Sequence, residues 1–280
     1  MKKTRFRANI FVLALLISSV VYAAETQKNV SYNLAEVPPC GDAQYAAERR
    51  FLDVHVPDAL PADAPILVWF HGGGLSGGGK HIPQPFLNQK FVTIAADYRL
   101  FPRAKVGDAL EDAAAVVVWA MKNAQNYGAD PKKIYVSGHS AGGYLAAMIA
   151  MAPQYMEKFG ASNMDIAGAF PVSGQMTTHF RIVSERAGSH SSAPNNPLLI
   201  DEFAPLFYTT RPVPPMHLLV GDPKLEWPAR VEENALLAAM LKTVKHANLV
   251  VFQSYPNTNH GTVATPAQAY IVEIMNKVAE

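Results

Sequence analysis

Residues 134–143 read Ile134-Tyr135-Val136-Ser137-Gly138-His139-Ser140-Ala141-Gly142-Gly143 and run straight into the apolar, small-residue segment Ala141 to Met151. A β-branched run, a Gly-x-Ser-x-Gly pentapeptide and an apolar helical stretch predict a strand, a sharp turn and a helix. A serine at such a turn is exposed at the end of a buried strand. Its neighbours must be small, because the backbone is strained and helix and strand lie close; Gly138, Gly142 and Gly143 meet that demand.

Working outward, Ile66-Leu67-Val68-Trp69-Phe70 is a continuous apolar run, the pattern of a parallel strand covered on both faces. It ends in His71-Gly72-Gly73-Gly74, and residues 72–79 hold six glycines in eight positions. Phe51 to Val56 alternates as an earlier strand, Phe91 to Ala96 is the next buried one, and Asp108 to Tyr127 is a long helix ending at Gly128. Beyond the Ser140 helix, Ile166 to Val172, Met216 to Val220 and Leu249 to Phe252 read as strands, Arg230 to Lys245 and Pro266 to Val278 as helices. Residues 24–50 are polar and read as irregular. Alternating buried strands and helices imply right-handed crossovers and a doubly wound, mostly parallel α/β sheet with helices on both faces. Ser173 to Arg211 breaks this rhythm, being rich in Ser, Thr, Pro and Asn. A structureless loop of that length is unusual in a compact domain, so it is expected to be a small cap-like insertion with short helices over the strand ends.

At the start of the chain, Lys2, Lys3, Arg5 and Arg7 precede an apolar run from Ile10 to Val21, and Val21-Tyr22-Ala23 presents a small-residue cleavage pattern before Ala24. Residues 1–23 therefore read as a secretory signal peptide, too short in its apolar part to span a bilayer, and the mature chain is expected to be periplasmic or secreted. About 257 residues then remain, which suits one α/β domain over 24–280 with its insertion at about 173–211. With 24 basic and 23 acidic residues the charge is nearly balanced, which gives no electrostatic reason to expect nucleic acid and favours a neutral small-molecule or carbohydrate substrate. Cys40 is the single cysteine, so no intrachain disulfide can form. No spacing of His, Cys or carboxylates suggests a metal site, and the glycine run lacks the Lys-Ser/Thr of a phosphate loop, so no cofactor is expected. Nothing in the sequence specifies an oligomeric state.

A serine hydroxyl becomes nucleophilic only when a base takes its proton, so Ser140 calls for a histidine and an orienting carboxylate. His260 stands in the polar loop Asn257-Thr258-Asn259-His260-Gly261, between the last strand and the last helix. Two carboxylates compete for the orienting role. Asp222 directly follows the strand Met216 to Val220 and is placed first; Glu226, four residues on, is the alternative. The negative charge that acyl transfer builds on a carbonyl oxygen needs pre-aimed N–H groups, for which Gly73, Gly74 and Ala141 are the natural donors.

Together, His71-Gly72-Gly73-Gly74, Asp97-Tyr98-Arg99-Leu100 and Gly138-His139-Ser140-Ala141-Gly142-Gly143 resemble the α/β-hydrolase fold esterases of the hormone-sensitive-lipase and carboxylesterase type, over nearly all of the mature chain. The resemblance implies a serine carboxylic ester hydrolase with Ser140 as nucleophile, His260 as base, and Gly73, Gly74 and Ala141 as the oxyanion hole. In that family the acid usually stands about three residues after the strand-end glycine, where this chain has Lys224, so Asp222 and Glu226 stay in competition. The resemblance makes Asp97-Tyr98-Arg99 a structural brace, and no chemistry is expected of Asp97, Asp108 or Asp112. Leu75, His139, Met176, His179 and Phe180 are expected to line the substrate pocket. Leu52-Asp53-Val54-His55-Val56-Pro57 is similar to stretches of carbohydrate esterases, which favours short-chain acyl, acetyl or feruloyl-type esters. The competing readings are an amidase or arylformamidase using the same triad, and a non-catalytic ligand-binding relative.

Overall fold

The computed structural model describes residues 24–35, 37–188, 199–244 and 249–280. In chain order the elements are β1 (Glu25–Ser31), α1 (Ala43–Arg49), β2 (Phe51–Val56), β3 (Ala64–Phe70), β4 (Val92–Ala96), α2 (Val106–Asn123), β5 (Ala129–His139), α3 (Ala141–Met151), α4 (Pro153–Glu157), β6 (Gly168–Val172), α5 (Phe180–Arg186), β7 (Met216–Val220), α6 (Arg230–Thr243), β8 (Val250–Ser254) and α7 (Ala264–Val278). The eight strands form one sheet in the order β1-β2-β4-β3-β5-β6-β7-β8. β2 runs antiparallel to both β1 and β4, and every other pairing is parallel.

Burial explains why the central strands are unbroken apolar runs. Every residue of β3, β4 and β6 is buried. Successive side chains of a strand point to opposite faces, and β3 feeds two cores accordingly. Ile66, Val68 and Phe70 pack with residues of α2, α3 and α6, while Leu67 and Trp69 pack with Val263, Ala267, Ile271 and Met275 on and beside α7. The sheet is thus covered on both faces.

Register sets where chemistry can occur. Phe70 lies opposite Gly138, and His139 opposite Val172. The carboxyl ends of β3, β5 and β6 therefore stop at one level, and the residues that follow them, His71, Ser140 and Ser173, emerge at the same edge. This is the crevice where open parallel sheets hold their ligands.

The N-terminal segment differs from the sequence expectation, since residues 24–50 contain β1 and α1. β1 has almost no buried side chain and is held by backbone pairing to β2, so it carries no apolar alternation to read. α1 is a short helix whose N-cap, Asp42, accepts a hydrogen bond from the Tyr45 amide at 2.9 Å. The segment 173–211, described at 173–188 and 199–211, carries α5 and a 3-10 turn at Pro205–Tyr208. Among the described residues no helix is long and apolar enough to cross a membrane. The expected signal peptide, residues 1–23, lies outside the described residues.

Candidate active site

Ser140 occupies the turn between β5 and α3 with φ 58° and ψ −115°, a strained conformation for a residue with a side chain. Two backbone hydrogen bonds hold it there: its N–H donates to Val172 O at 2.8 Å, and its carbonyl accepts from the Tyr144 N–H at 2.9 Å. The glycines around it have no room for a side chain. A Cβ on Gly142 would fall on the Phe70 carbonyl, one on Gly138 would come within 2.5 Å of Gly142 C, and one on Gly143 within 2.7 Å of Val172 O. Close approach of helix and strand is therefore the physical reason for the glycine pattern.

Across the sheet edge, His260 Nε2 lies 2.8 Å from Ser140 Oγ, and His260 Nδ1 lies 2.6 Å from Glu226 Oε1. A carboxylate can only accept, so Nδ1 carries the hydrogen and Nε2 is left to receive the proton of Ser140. The Glu226 side chain has no exposed surface. Burial pushes its pKa up, but hydrogen bonds from His260, the Trp227 N–H at 2.9 Å and Ser173 Oγ at 2.7 Å outweigh it, and the carboxyl falls to about 2.

Asp222, the acid placed first on sequence grounds, does not reach His260. Its carboxylate accepts the Lys224 N–H and the Asn257 N–H, each at 2.9 Å, and these backbone donors hold its pKa below the usual carboxylate value. The cause of the reversal is a tight turn. Leu225 N and Glu226 N both donate to Asp222 O, at 2.9 and 2.8 Å, folding the chain back so that Glu226 returns to the strand end. Asp222 staples this turn to the loop carrying His260.

Beside Ser140, the loop after β3 turns on Gly73 and Gly74, with φ of +116° and +61°. A Cβ on Gly72 would sit 3.6 Å from Ser140 Cβ, so the glycine run passes directly alongside the serine. Ala141 is the first residue of α3, where amides have no intrahelical acceptor and the helix dipole is positive. His71 braces the loop: its Nδ1 lies 2.6 Å from Gly72 O, its ring stacks on Tyr98 at 4.3 Å, and burial lowers its pKa to about 4, so the ring is neutral near pH 7.

Of the residues expected to line the pocket, Leu75, Met176 and His179 are buried. They pack inside the loop and the insertion instead of facing an open cavity, because the insertion folds down onto the glycine loop. Phe180 keeps part of its surface and covers Gly74, with its Cζ 3.2 Å from where a Cβ would stand. His139 turns the other way, its Nε2 lying 2.6 Å from the carbonyl oxygen of His260. Sequence reasoning missed Trp227 and Ser173. The indole stacks on the His260 ring at 3.9 Å with 15° between planes, and only its place next to Glu226 hinted at this. Asp97 and Asp112 sit in ion pairs away from Ser140: Arg49 reaches Asp97 at 3.1 Å, and Arg99 forks onto Asp112 with two contacts of 2.8 Å. Asp108 Oδ2 accepts from the Lys105 N–H at the start of α2. Among the described residues no cluster of three or more His, Cys, Asp or Glu could hold a metal ion.

The model of the BD-FAE family matches residues 52–224, well over half of the chain. The chain belongs to the BD-FAE family. That match covers the glycine loop and Ser140 and ends before Glu226 and well before His260. Among curated relatives, carboxylesterase NlhH of Mycobacterium tuberculosis is 33% identical over 102 residues, 35% of this chain and 32% of that protein. Esterase LipQ of the same species is 27% identical over 225 residues, 73% of this chain and 52% of that protein. The chain thus spans about a third to a half of the length of these relatives. Among solved structures, a hyperthermophilic esterase from Pyrobaculum calidifontis aligns over 94% of this chain and 85% of its own, with TM-score 0.67 at 21% identity. A truncated carbohydrate esterase from gut microbiota aligns over 93% and 98%, with TM-score 0.69 at 15% identity. At these identities the likeness establishes the fold, which is that of the α/β hydrolases, as the family resemblance implies.

Proposed function

We propose that the protein is an exported serine esterase that hydrolyses short-chain carboxylic esters through an acyl-enzyme on Ser140. The observation that carries this reading is the unbroken chain of contacts from Ser140 Oγ to His260 and on to Glu226, at 2.8 and 2.6 Å. His260 Nε2 takes the hydroxyl proton as Oγ attacks the ester carbonyl; Glu226 steadies the imidazolium that forms. The Gly73, Gly74 and Ala141 amides receive the negative charge on the carbonyl oxygen. His260 then returns the proton to the departing alcohol oxygen. In the second half a water gives a proton to Nε2 and its oxygen to the acyl carbon; the bond from that carbon to Oγ then breaks, Nε2 returns the proton to Oγ, and the acid leaves with Ser140 and His260 restored.

Short acyl groups suit the site because Phe180 closes over Gly74. The name of the gut-microbiota structural neighbour supports acylated carbohydrate as a substrate class, and acetyl or feruloyl-type esters fit that class. Export rests on the leader at residues 1–23; N-terminal sequencing of the mature protein, expected to begin at Ala24, tests it.

The function is tested with p-nitrophenyl esters of increasing chain length alongside acetylated sugars and an arylformamide. Ester turnover that falls steeply beyond about four acyl carbons is expected, since a methylene that fits adds only about 1 to 3 kcal/mol and one that does not must displace packed side chains. Ser140→Ala is expected to abolish turnover with little change in Tm, and a fluorophosphonate probe to label Ser140. Wild-type turnover by Ser140→Ala, or labelling at another residue, would sink the mechanism. Faster turnover of the arylformamide than of every ester would move the protein to the amidases.

A further inference from the structure

We propose that His139 is a positioning residue that ties the loop carrying the base to the turn carrying the nucleophile. The inference rests on the reading of Ser140 and His260 given above. These two side chains stand 2.8 Å apart, yet they come from strands that are not neighbours, since β6 and β7 lie between β5 and β8. Residues 257–262 are largely exposed, and the bonds they make among themselves are local. Asn259 Oδ1 accepts from the Gly261 and Thr262 amides at 3.0 and 2.9 Å, and the Asn259 amide donates to Thr262 Oγ1 at 2.9 Å. Such bonds shape the loop without fixing where it stands over the sheet edge. Asp222 anchors the loop to the turn after β7 twice, its carboxylate accepting from the Asn257 N–H at 2.9 Å and its own N–H donating to the Thr258 carbonyl at 2.8 Å. The distance from His260 to Ser140 still needs a link to β5.

His139 supplies that link with one residue from each side. It directly precedes Ser140, and its Nε2 lies 2.6 Å from the carbonyl oxygen of His260 itself. A carbonyl only accepts, so Nε2 is the donor and carries the hydrogen. The ring lies 5.0 Å from the His260 ring, and its Nδ1 packs 3.5 Å from where a Cβ on Gly72 would stand. His139 therefore occupies the junction of the glycine loop, the nucleophile turn and the base loop. The pentapeptide's variable position acts as a spacer, and a donor of that length is what it requires.

The test compares His139→Leu, His139→Asn and His139→Gln with the wild type. A glutamine amide nitrogen falls near the place of Nε2, an asparagine amide falls short of it, and leucine has no donor. Measured quantities are kcat and KM on p-nitrophenyl acetate, Tm, and hydrogen–deuterium exchange of the peptide spanning residues 257–263. The expected result is a loss of kcat of about 10- to 100-fold in the Leu and Asn variants with KM little changed, because small misplacements of a reacting group cost rate before affinity. Faster exchange of the 257–263 peptide accompanies it, and the Gln variant recovers most of both losses. Should His139→Leu fail to fold, the Asn and Gln pair decides. Wild-type kcat and wild-type exchange in the Leu and Asn variants would overturn the proposal, as would a Gln variant no better than Asn. If the wild type itself turns over no ester, the functional reading falls, and the exchange data alone then decide whether His139 holds the loop.

Discussion

At the scale of single residues, the orienting acid is where chain order and geometry part. Glu226→Gln leaves His260 without a carboxylate at Nδ1 and is expected to lower kcat by up to about 10⁴-fold, as in serine-protease triads, whereas Asp222→Asn keeps kcat within a few-fold. Kinetics on the two variants with p-nitrophenyl acetate make the comparison; near-normal turnover by Glu226→Gln would remove it from the triad. The same carboxylate gives a pH dependence with a definite sign. Its folded pKa of about 2 lies below the ordinary glutamate value, so its contribution to stability is complete above that ordinary value and is lost as pH falls through about 2. Tm followed from pH 6 to pH 2.5 should therefore drop less steeply for Glu226→Gln than for the wild type. Ser140, His260 and both candidate acids were legible in the sequence, because the motif and the strand-to-loop positions announce them. The order of the acids was not. Distance along the chain from β7 favours Asp222, and only the backbone bonds onto Asp222 O reverse it.

Among the elements, the meeting of β3, β5 and α3 concentrates the demand for glycine. Gly142→Ala would drive a methyl group into the Phe70 carbonyl and is expected to cost about 3 kcal/mol or more, or to prevent folding. Gly107, near the start of α2, has nothing within 4 Å of a would-be Cβ, and Gly107→Ala is expected to stabilise by about 0.5 kcal/mol. Urea midpoints on the two variants, with opposite signs, check the pair; equal effects would remove the steric account. The buried strands could be read because both of their faces demand apolar residues. β1 could not, because an edge strand held by its backbone has no side-chain pattern to show. Of the insertion residues expected to line the pocket, Met176 and His179 pack inward, while Phe180 lies against Gly74 and its neighbour Arg181 donates to the Gly74 carbonyl and to Ser76 Oγ.

For the molecule as a whole, a buried charge cluster joins the N-terminal segment to the sheet and to α2. Asp112 pairs with Arg99 through contacts of 2.8 Å and with Arg50 at 3.3 Å, and the Arg99 guanidinium also donates to the Cys40 carbonyl. Removing the shared carboxylate by Asp112→Ala strands two buried cations and is expected to cost about 3 to 5 kcal/mol. Since none of these groups touches Ser140, turnover per fluorophosphonate-labelled molecule should match the wild type. Urea unfolding and active-site titration measure the two quantities separately, and a normal urea midpoint would remove the cluster from the account of stability. The chain holds three indoles in all: Trp69 and Trp119 are buried, and Trp227 is 47% exposed and lies flat on His260. Of the three, Trp227 is the one that stacks on the base, so the two interior indoles give a steady glow against which a single lamp stands at the active site. A fluorophosphonate attached to Ser140 should change that lamp's brightness, and Trp227→Phe should erase the change, leaving the protein's light insensitive to what occupies the site.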